Sequence, residues 1–160
     1  MSGRRAVLTA SSLLRAAPGV VWKRVTSPAG INQELRPLMR MTVPAGLEEG
    51  LDGDAVRVGE RLGRSWILLG GVVPFDYDDL RLVELEPGRR FLERSTMLSQ
   101  RLWEHERTVE PADGGCRVTD RVAWEPRLPL PAALLRPLFR GIFRHRHRRL
   151  RREFGDAGAQ

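Results

Sequence analysis

The segment Leu138 to Phe154 constrains this chain most, because its apolar and basic residues separate at helical spacing into two faces. At about 100° per residue, Leu135, Leu138, Phe139, Ile142, Phe143 and Leu150 share one broad arc, while Arg136, Arg140, Arg144, Arg148, Arg151 and Arg152 crowd the opposite one. Such a helix needs a surface to cover, and its basic face stays in water. Arg146 breaks the pattern. It projects into the apolar arc one turn beyond Ile142 and Phe143, where a guanidinium has to snorkel to solvent or meet a carboxylate, and it is the first candidate site residue. Pro137 lacks the N–H that would continue a preceding turn and marks a kink or the helix start. Gly141 weakens the interior by about 1 kcal/mol relative to Ala, and Gly155 is a natural stop.

The 160 residues read as one domain over 1–155, long enough to bury a core without crosslinks, with a disordered tail over 156–160. The single Cys116 excludes an intrachain disulfide and agrees with a reducing cytoplasm. Near the N-terminus, Thr9, Ser11, Ser12 and Arg15 interrupt any signal-peptide core, and no stretch reaches membrane-spanning length. A soluble, untargeted, cytoplasmic chain is expected. The formal net charge of +7 is local, because residues 136–152 hold eight arginines and no acid while the remainder is nearly balanced. Lys23 is the only lysine; a GC-rich coding sequence would produce the same bias, so arginine abundance alone carries no functional argument.

Ala6 to Leu14 reads as a first strand, Ala17-Pro18-Gly19-Val20-Val21-Trp22 as the start of a short helix, and Thr26-Ser27-Pro28 as the cap of a second helix running to about Leu38, with Pro37 helping to end it. Strand signals then dominate: Met39 to Val43, Val56 to Val73, Leu80 to Leu85, Phe91 to Leu98, Leu102 to Val109 and Arg117 to Trp124, separated by Gly-, Pro- or Asp-containing turns. Pro44 to Gly59, with Glu48, Glu49, Asp52 and Asp54 among glycines, reads as a solvated hairpin loop without the ligand spacing of an EF-hand. Val72 to Asp79 reads as a second exposed loop, in which Phe75 and Tyr77 either gate a cavity or pack at a sheet rim.

The richest stretch, Phe91 to Pro126, reads as two consecutive hairpins. Pairing Ser95 with His105 and His105 with Asp120 places Phe91, Glu93, Ser95, Met97, Trp103, His105, Arg107, Val109, Val118, Asp120, Val122 and Trp124 on one face. The other face then holds Arg94 opposite Glu106 and Glu104 opposite Arg121, as suits a solvent side laced with ion pairs. The first face is apolar except for Glu93 beside Arg107 and the row Ser95, His105, Asp120. Buried polar groups must be paired, so that row is a satisfied structural network, a cluster that orients a ligand, or an acid/base site. A hydrolytic Ser-His-Asp triad is rejected, since strands supply neither a nucleophile elbow nor a pair of oxyanion-hole donors. No metal or cofactor is expected. His145 and His147 project about 160° apart on a helix and cannot chelate one ion, Cys116 lies in a Gly-Gly-Cys turn, and Gly70-Gly71 lacks the spacing of a nucleotide fingerprint.

This order of elements, with the Ala17-Pro18-x-x-Val21-Trp22 opening, resembles the SRPBCC superfamily: the START-type and birch-pollen-allergen-like helix-grip proteins, which include polyketide cyclases and dehydrases. The resemblance implies an α+β helix-grip fold, a curved antiparallel sheet of about six to seven strands with two short helices and a long C-terminal helix over a cavity. It implies binding of a hydrophobic or amphipathic small molecule, lipid- or polyketide-like, more securely than catalysis. Glu93, Ser95, Met97, Trp103, His105, Arg107, Asp120, Trp124, Phe139, Phe143 and Arg146 are the candidate ligand-binding residues. In the enzyme alternative, a cyclase or dehydrase, His105 tuned by Asp120 is the base and Arg107 or Arg146 polarises a carbonyl. A third alternative gives the arginine-rich helix face to nucleic acid or an anionic membrane. It is weakened because the tryptophans map to core or sheet and leave no stacking platform beside the arginines.

Overall fold

The computed structural model describes residues 4–158. β1 (Ala6–Leu14) is followed by α1 (Pro18–Val25) and α2 (Pro28–Leu35), then by a meander of β2 (Met39–Met41), β3 (Arg61–Leu69), β4 (Val73–Glu86), β5 (Arg90–Met97), β6 (Gln100–Ala112) and β7 (Gly115–Pro126), and finally by α3 (Arg136–Phe154). The strands form one antiparallel sheet in the order β1-β7-β6-β5-β4-β3-β2. Register shifts in the β3–β4, β4–β5 and β6–β7 pairs add local bend and twist. The sheet thereby curls around α3, the helix-grip architecture expected.

Local chemistry explains the boundaries. Ser27 accepts a hydrogen bond from the Gly30 amide and Pro28 opens α2. α1 and α2 meet so closely that a Cβ on Gly30 would lie 1.7 Å from the Arg24 carbonyl oxygen. α2 ends at Leu35, short of Leu38, because Pro37 disfavours helical geometry at Arg36. α3 begins with Pro137 in its first turn, continues without a break past Gly141, and stops at Gly155, whose φ of 82° suits glycine. Beyond it Asp156 bridges Leu14 and the Ala157 amide donates to the Leu13 carbonyl, so the expected tail pairs with β1 as far as it is described. Residues 159–160 lie outside the described residues.

Two expectations about the sheet need correction. The expected loop over Val72 to Asp79 is strand from Val73 onward: the turn is confined to Gly70 to Val72, with both glycines at positive φ. Asp76, Asp78 and Leu82 are buried at even positions along β4, which is the period of a strand with one face inside. The hairpin registers also differ by two residues each: Glu93 pairs with His105 and Ser95 with Trp103, while Arg107 pairs with Asp120 and His105 with Val122. The β6–β7 turn is the dipeptide Asp113-Gly114, a strong hairpin signal that sets the register. A slip of two preserves which face each side chain takes, so the inward set is retained. On the outer face Glu104 draws together Arg5, Arg94 and Arg121 at 2.9, 3.0 and 3.2 Å.

The buried residues form two apolar clusters, one around Leu14, Val21, Trp22, Phe91, Val118 and Leu150, the other around Leu8, Val122, Trp124, Phe139 and Phe143. Each element that crosses the molecule contributes to both and inserts a polar residue between them. β1 runs Leu8, Ser12, Leu14; β7 runs Val118, Asp120, Val122; α3 runs Phe143, Arg146 and His147, Leu150. A polar layer therefore divides the core.

Candidate functional site

A cavity of about 860 Å³ lies between the concave sheet and the helices α2 and α3. Its wall is largely aliphatic and aromatic, with Ile31, Leu35, Ile67, Leu80, Ile142 and Phe143 among the lining residues. Leu138, placed by periodicity on the packed arc, is 56% exposed, because it stands at the edge of the cavity rather than against the sheet. Phe75 lines the cavity, whereas Tyr77 turns to the outer face beneath Arg64, 3.8 Å from its ring, and beside Trp66.

Of the candidate residues, Glu93, Met97, Trp103, His105, Phe139, Phe143 and Arg146 line this cavity. Ser95, Arg107, Asp120 and Trp124 do not. Trp124 is fully buried against Phe139, and its Nε1 donates to the Ala132 carbonyl at 2.9 Å. Ser95 Oγ donates to Glu93 at 2.8 Å and accepts from the Arg81 amide. Glu93 is therefore beside Ser95 and opposite His105, not beside Arg107.

Arg107 and Asp120 form the centre of the polar layer. Arg107 Nε and Nη2 grip the two Asp120 oxygens, each at 2.7 Å. From its other edge Arg107 holds Glu34 of α2, Nη1 to Oε1 at 2.7 Å and Nη2 to Oε2 at 2.9 Å, and Arg146 Nε reaches the same Glu34 Oε2 at 2.8 Å. Arg146 thus finds the carboxylate that its place on the apolar arc required. Asp120 also accepts from His105 Nε2 at 2.7 Å and from His147 Nε2 at 2.8 Å, while His147 Nδ1 meets Ser12 Oγ at 2.7 Å. Two guanidinium groups balance two carboxylates, and β1, α2, β6, β7 and α3 are tied at one level.

Burial, the largest single influence, would raise the Glu34 and Asp120 carboxyls, but the charged partners together outweigh it, Arg107 in both with Arg146 at Glu34 and His105 at Asp120. Glu34 sits below the ordinary carboxylate range and Asp120 well below it. Arg107 is likewise penalised by burial, and the two carboxylates more than restore its charge. With Asp120 an acceptor, His105 Nε2 carries the proton of their bond. That leaves Nδ1, which has no protein partner among the described residues, as an acceptor on a ring lining the cavity. Among the described residues the Arg146 guanidinium meets a carboxylate only through Nε on Glu34, leaving its Nη donors without one at the cavity wall.

The opposite, sheet-side wall is acidic. Asp78 is 3% exposed, and burial, together with the Glu93 carboxyl beside it, pushes its carboxyl well above the usual range. Asp76 accepts from the Tyr77 and Ser99 amides and from Ser99 Oγ, closing the β5–β6 turn from a neighbouring strand.

Sequence reasoning missed Glu34, His147, Asp78 and Ser12. A signal existed for His147, since Phe143, His147 and Leu150 fall at i, i+4 and i+7 on one helix face. His145, by contrast, bonds the Arg36 carbonyl near the surface. Among the described residues no helix is long and apolar enough to cross a membrane.

Among solved structures, the chain is similar to protein CV1439 from Chromobacterium violaceum, at 18% identity over 94% of this chain and 98% of the other, with a TM-score of 0.69. It is similar to a START superfamily protein from Mycobacterium smegmatis at 12% identity over 95% and 97%, TM-score 0.66. DynU16, from the dynemicin biosynthetic locus, matches at 18% identity and a TM-score of 0.57 over 96% of this chain but 48% of its own, so this chain spans about half its length. At these identities the likeness is one of fold, and it is the helix-grip fold that the resemblance implied. No curated protein matches the chain. A family profile does match, over residues 12–154, from Ser12 of the polar layer to the last residue of α3, and by that match the chain belongs to the family described as Domain of unknown function (DUF8410).

Proposed function

We propose that this protein binds a hydrophobic or amphipathic small molecule in the cavity between α3 and the sheet. The observation that carries the reading is the cavity itself. Protein interiors pack to crystal-like density, yet about 860 Å³ is left open here, within the roughly 300–1,000 Å³ of small-molecule sites. The wall suits a lipid- or polyketide-like body, with Trp103, Phe139 and Phe143 as flat surfaces, and His105 Nδ1 and the Arg146 guanidinium offer an acceptor and donors to a polar end. Native mass spectrometry of the protein purified from its own host tests this. A reproducible mass excess over the denatured chain is expected, and a chain that is ligand-free and takes up no apolar probe on titration refutes the reading.

A second reading, catalysis of the cyclase or dehydrase type, draws on the His105–Asp120 pair. The Asp120 carboxylate behind Nε2 orients the ring of a residue that lines the cavity, where Nδ1 can take an acidic α-proton while Arg146 polarises the carbonyl. For this reading His105→Ala must keep ligand binding and lose turnover. Equal conversion of a polyketide-type substrate by the variant and the wild type refutes it.

A further inference from the structure

The sheet-side wall contains two buried acceptors that the protein leaves unserved. Asp78 Oδ1 and Gln100 Oε1 meet no hydrogen-bond donor among the described residues, although Asp78 is 3% and Gln100 2% exposed. Both residues line the cavity. A buried acceptor without a donor carries the full desolvation penalty of the group, so two on one wall are not an incidental arrangement.

The local hydrogen bonds fix this orientation. Asp76 accepts three bonds and therefore takes the Ser99 hydroxyl proton. Ser99 Oγ is left to accept, and it accepts from Gln100 Nε2 at 3.1 Å. The Gln100 amide is thereby held with its oxygen away from Ser99, and flipping it would set one acceptor against another. At Asp78 the neighbouring groups are Glu93, a second carboxyl, and the Ser95 hydroxyl, which donates to Glu93 Oε1. The pair is short of protons for its four oxygens. Among the described residues neither Asp78 nor Glu93 forms an ion pair with a cation, and Arg127 Nε is used on the Met97 carbonyl.

We propose that Asp78 and Gln100 form a recognition site for hydrogen-bond donors, hydroxyl or amine groups, carried by an otherwise apolar ligand. This rests on the cavity being a ligand site and adds the polarity of what enters it. The ligand presents donors to the sheet and an acceptor or anion to Arg146 on α3, so the two walls fix its orientation.

Three fluorescent probes of one apolar skeleton test the site: pyrenemethanol, pyrenemethylamine and methylpyrene, titrated against the full chain with energy transfer from tryptophan as the readout. At least one of the two donor probes is expected to bind about tenfold more tightly than methylpyrene, the effect of one good hydrogen bond to a buried acceptor. Asp78→Leu and Gln100→Leu should each erase most of that preference while leaving methylpyrene affinity within about twofold. Asp78→Asn retains an acceptor and can donate to Glu93. It therefore keeps the preference for the donor probes over methylpyrene, and it remains informative if the leucine variant does not fold. Equal binding of all three probes to wild type overturns the donor site and leaves the cavity reading standing. Failure of every probe to bind overturns both.

Discussion

Glu34→Gln probes the polar layer at the residue that joins α2 to α3. Glu34 is 1% exposed and accepts three charge-assisted hydrogen bonds, from Arg107 Nη1, Arg107 Nη2 and Arg146 Nε, at 2.7–2.9 Å. Glutamine has the same shape. Its best placement sets the amide oxygen at the Oε2 position, keeping two bonds, and turns the NH2 group toward Arg107 Nη1, donor against donor. The substitution also leaves two guanidinium groups, Arg107 and Arg146, against the single carboxylate of Asp120, an unbalanced buried charge. Breaking a buried pair by removing one partner costs about 3–5 kcal/mol, a large share of the roughly 5–15 kcal/mol that keeps a domain folded. For a chain of this length that corresponds to a fall in Tm of about 6–20 °C. Urea unfolding followed by tryptophan fluorescence measures it, with an unchanged m-value showing that only stability moved. Adding Arg146→Met removes the excess cation, and the cycle should show coupling of about 1–3 kcal/mol in the direction of recovery. A loss below about 1 kcal/mol, as for a surface ion pair, would refute the claim that this network is desolvated and holds the helix.

Glycines give a second, opposite pair of outcomes. Gly141 lies inside α3, where an added Cβ would meet no atom within 4 Å among the described residues, so Gly141→Ala should stabilise by about 0.5–1 kcal/mol. Gly30→Ala would set its Cβ 1.7 Å from a backbone oxygen and should destabilise by about 1–3 kcal/mol or more; urea unfolding reads both. The pH dependence separates the two polar walls. Glu34 and Asp120 have depressed folded pKa values, so their contribution is present above the unfolded carboxyl value of about 4 and lost as pH falls through the folded values. Asp78 is raised, so its folded form holds a proton that the unfolded chain releases above about pH 4, and its contribution is lost as pH rises from there. Asp78→Asn should therefore match wild type most closely in acid and gain on it toward neutral pH; a difference independent of pH would show that Asp78 titrates normally.

The parts of the fold visible in the sequence are those fixed by local chemistry. β1 from Ala6 to Leu14, the Ser27 cap, the Gly155 stop and the two-faced α3 each follow from a few neighbouring residues. What is not visible depends on distance. Burial of Glu34 is only weakly signalled, by Ile31 and Leu35 among the polar Asn32, Gln33 and Arg36; the need of Arg146 for a carboxylate points to such a residue, without saying which. Asp76 and Asp78 read as loop residues because acids normally face water, and period-2 burial of acids is legible only once the cavity they border is known. The two-residue slips in the hairpins have a local cause at Asp113-Gly114, where the turn dipeptide is there to be read. At Leu98-Ser99 the cause is remote, since the turn is held by Asp76 from another strand.

The polar layer and the cavity answer the same mechanical problem. A helix laid over an open space of about 860 Å³ has no continuous apolar surface against which to pack, so burial cannot hold its whole length. α3 is packed at Phe139 and Phe143 on one side of the layer and at Leu150 on the other, while Arg146 and His147 between them are fastened by directional bonds to Glu34 and Asp120. Such bonds fix distance and angle where apolar contact would tolerate collapse. Replacing buried ion pairs with apolar residues of matched volume often stabilises a chain, and leucines in this layer could do the same. In this fold, however, they would also remove the groups that set the spacing between helix and sheet. The layer is then best understood as what keeps the cavity open, and its removal should reduce probe binding even where it leaves the chain more stable.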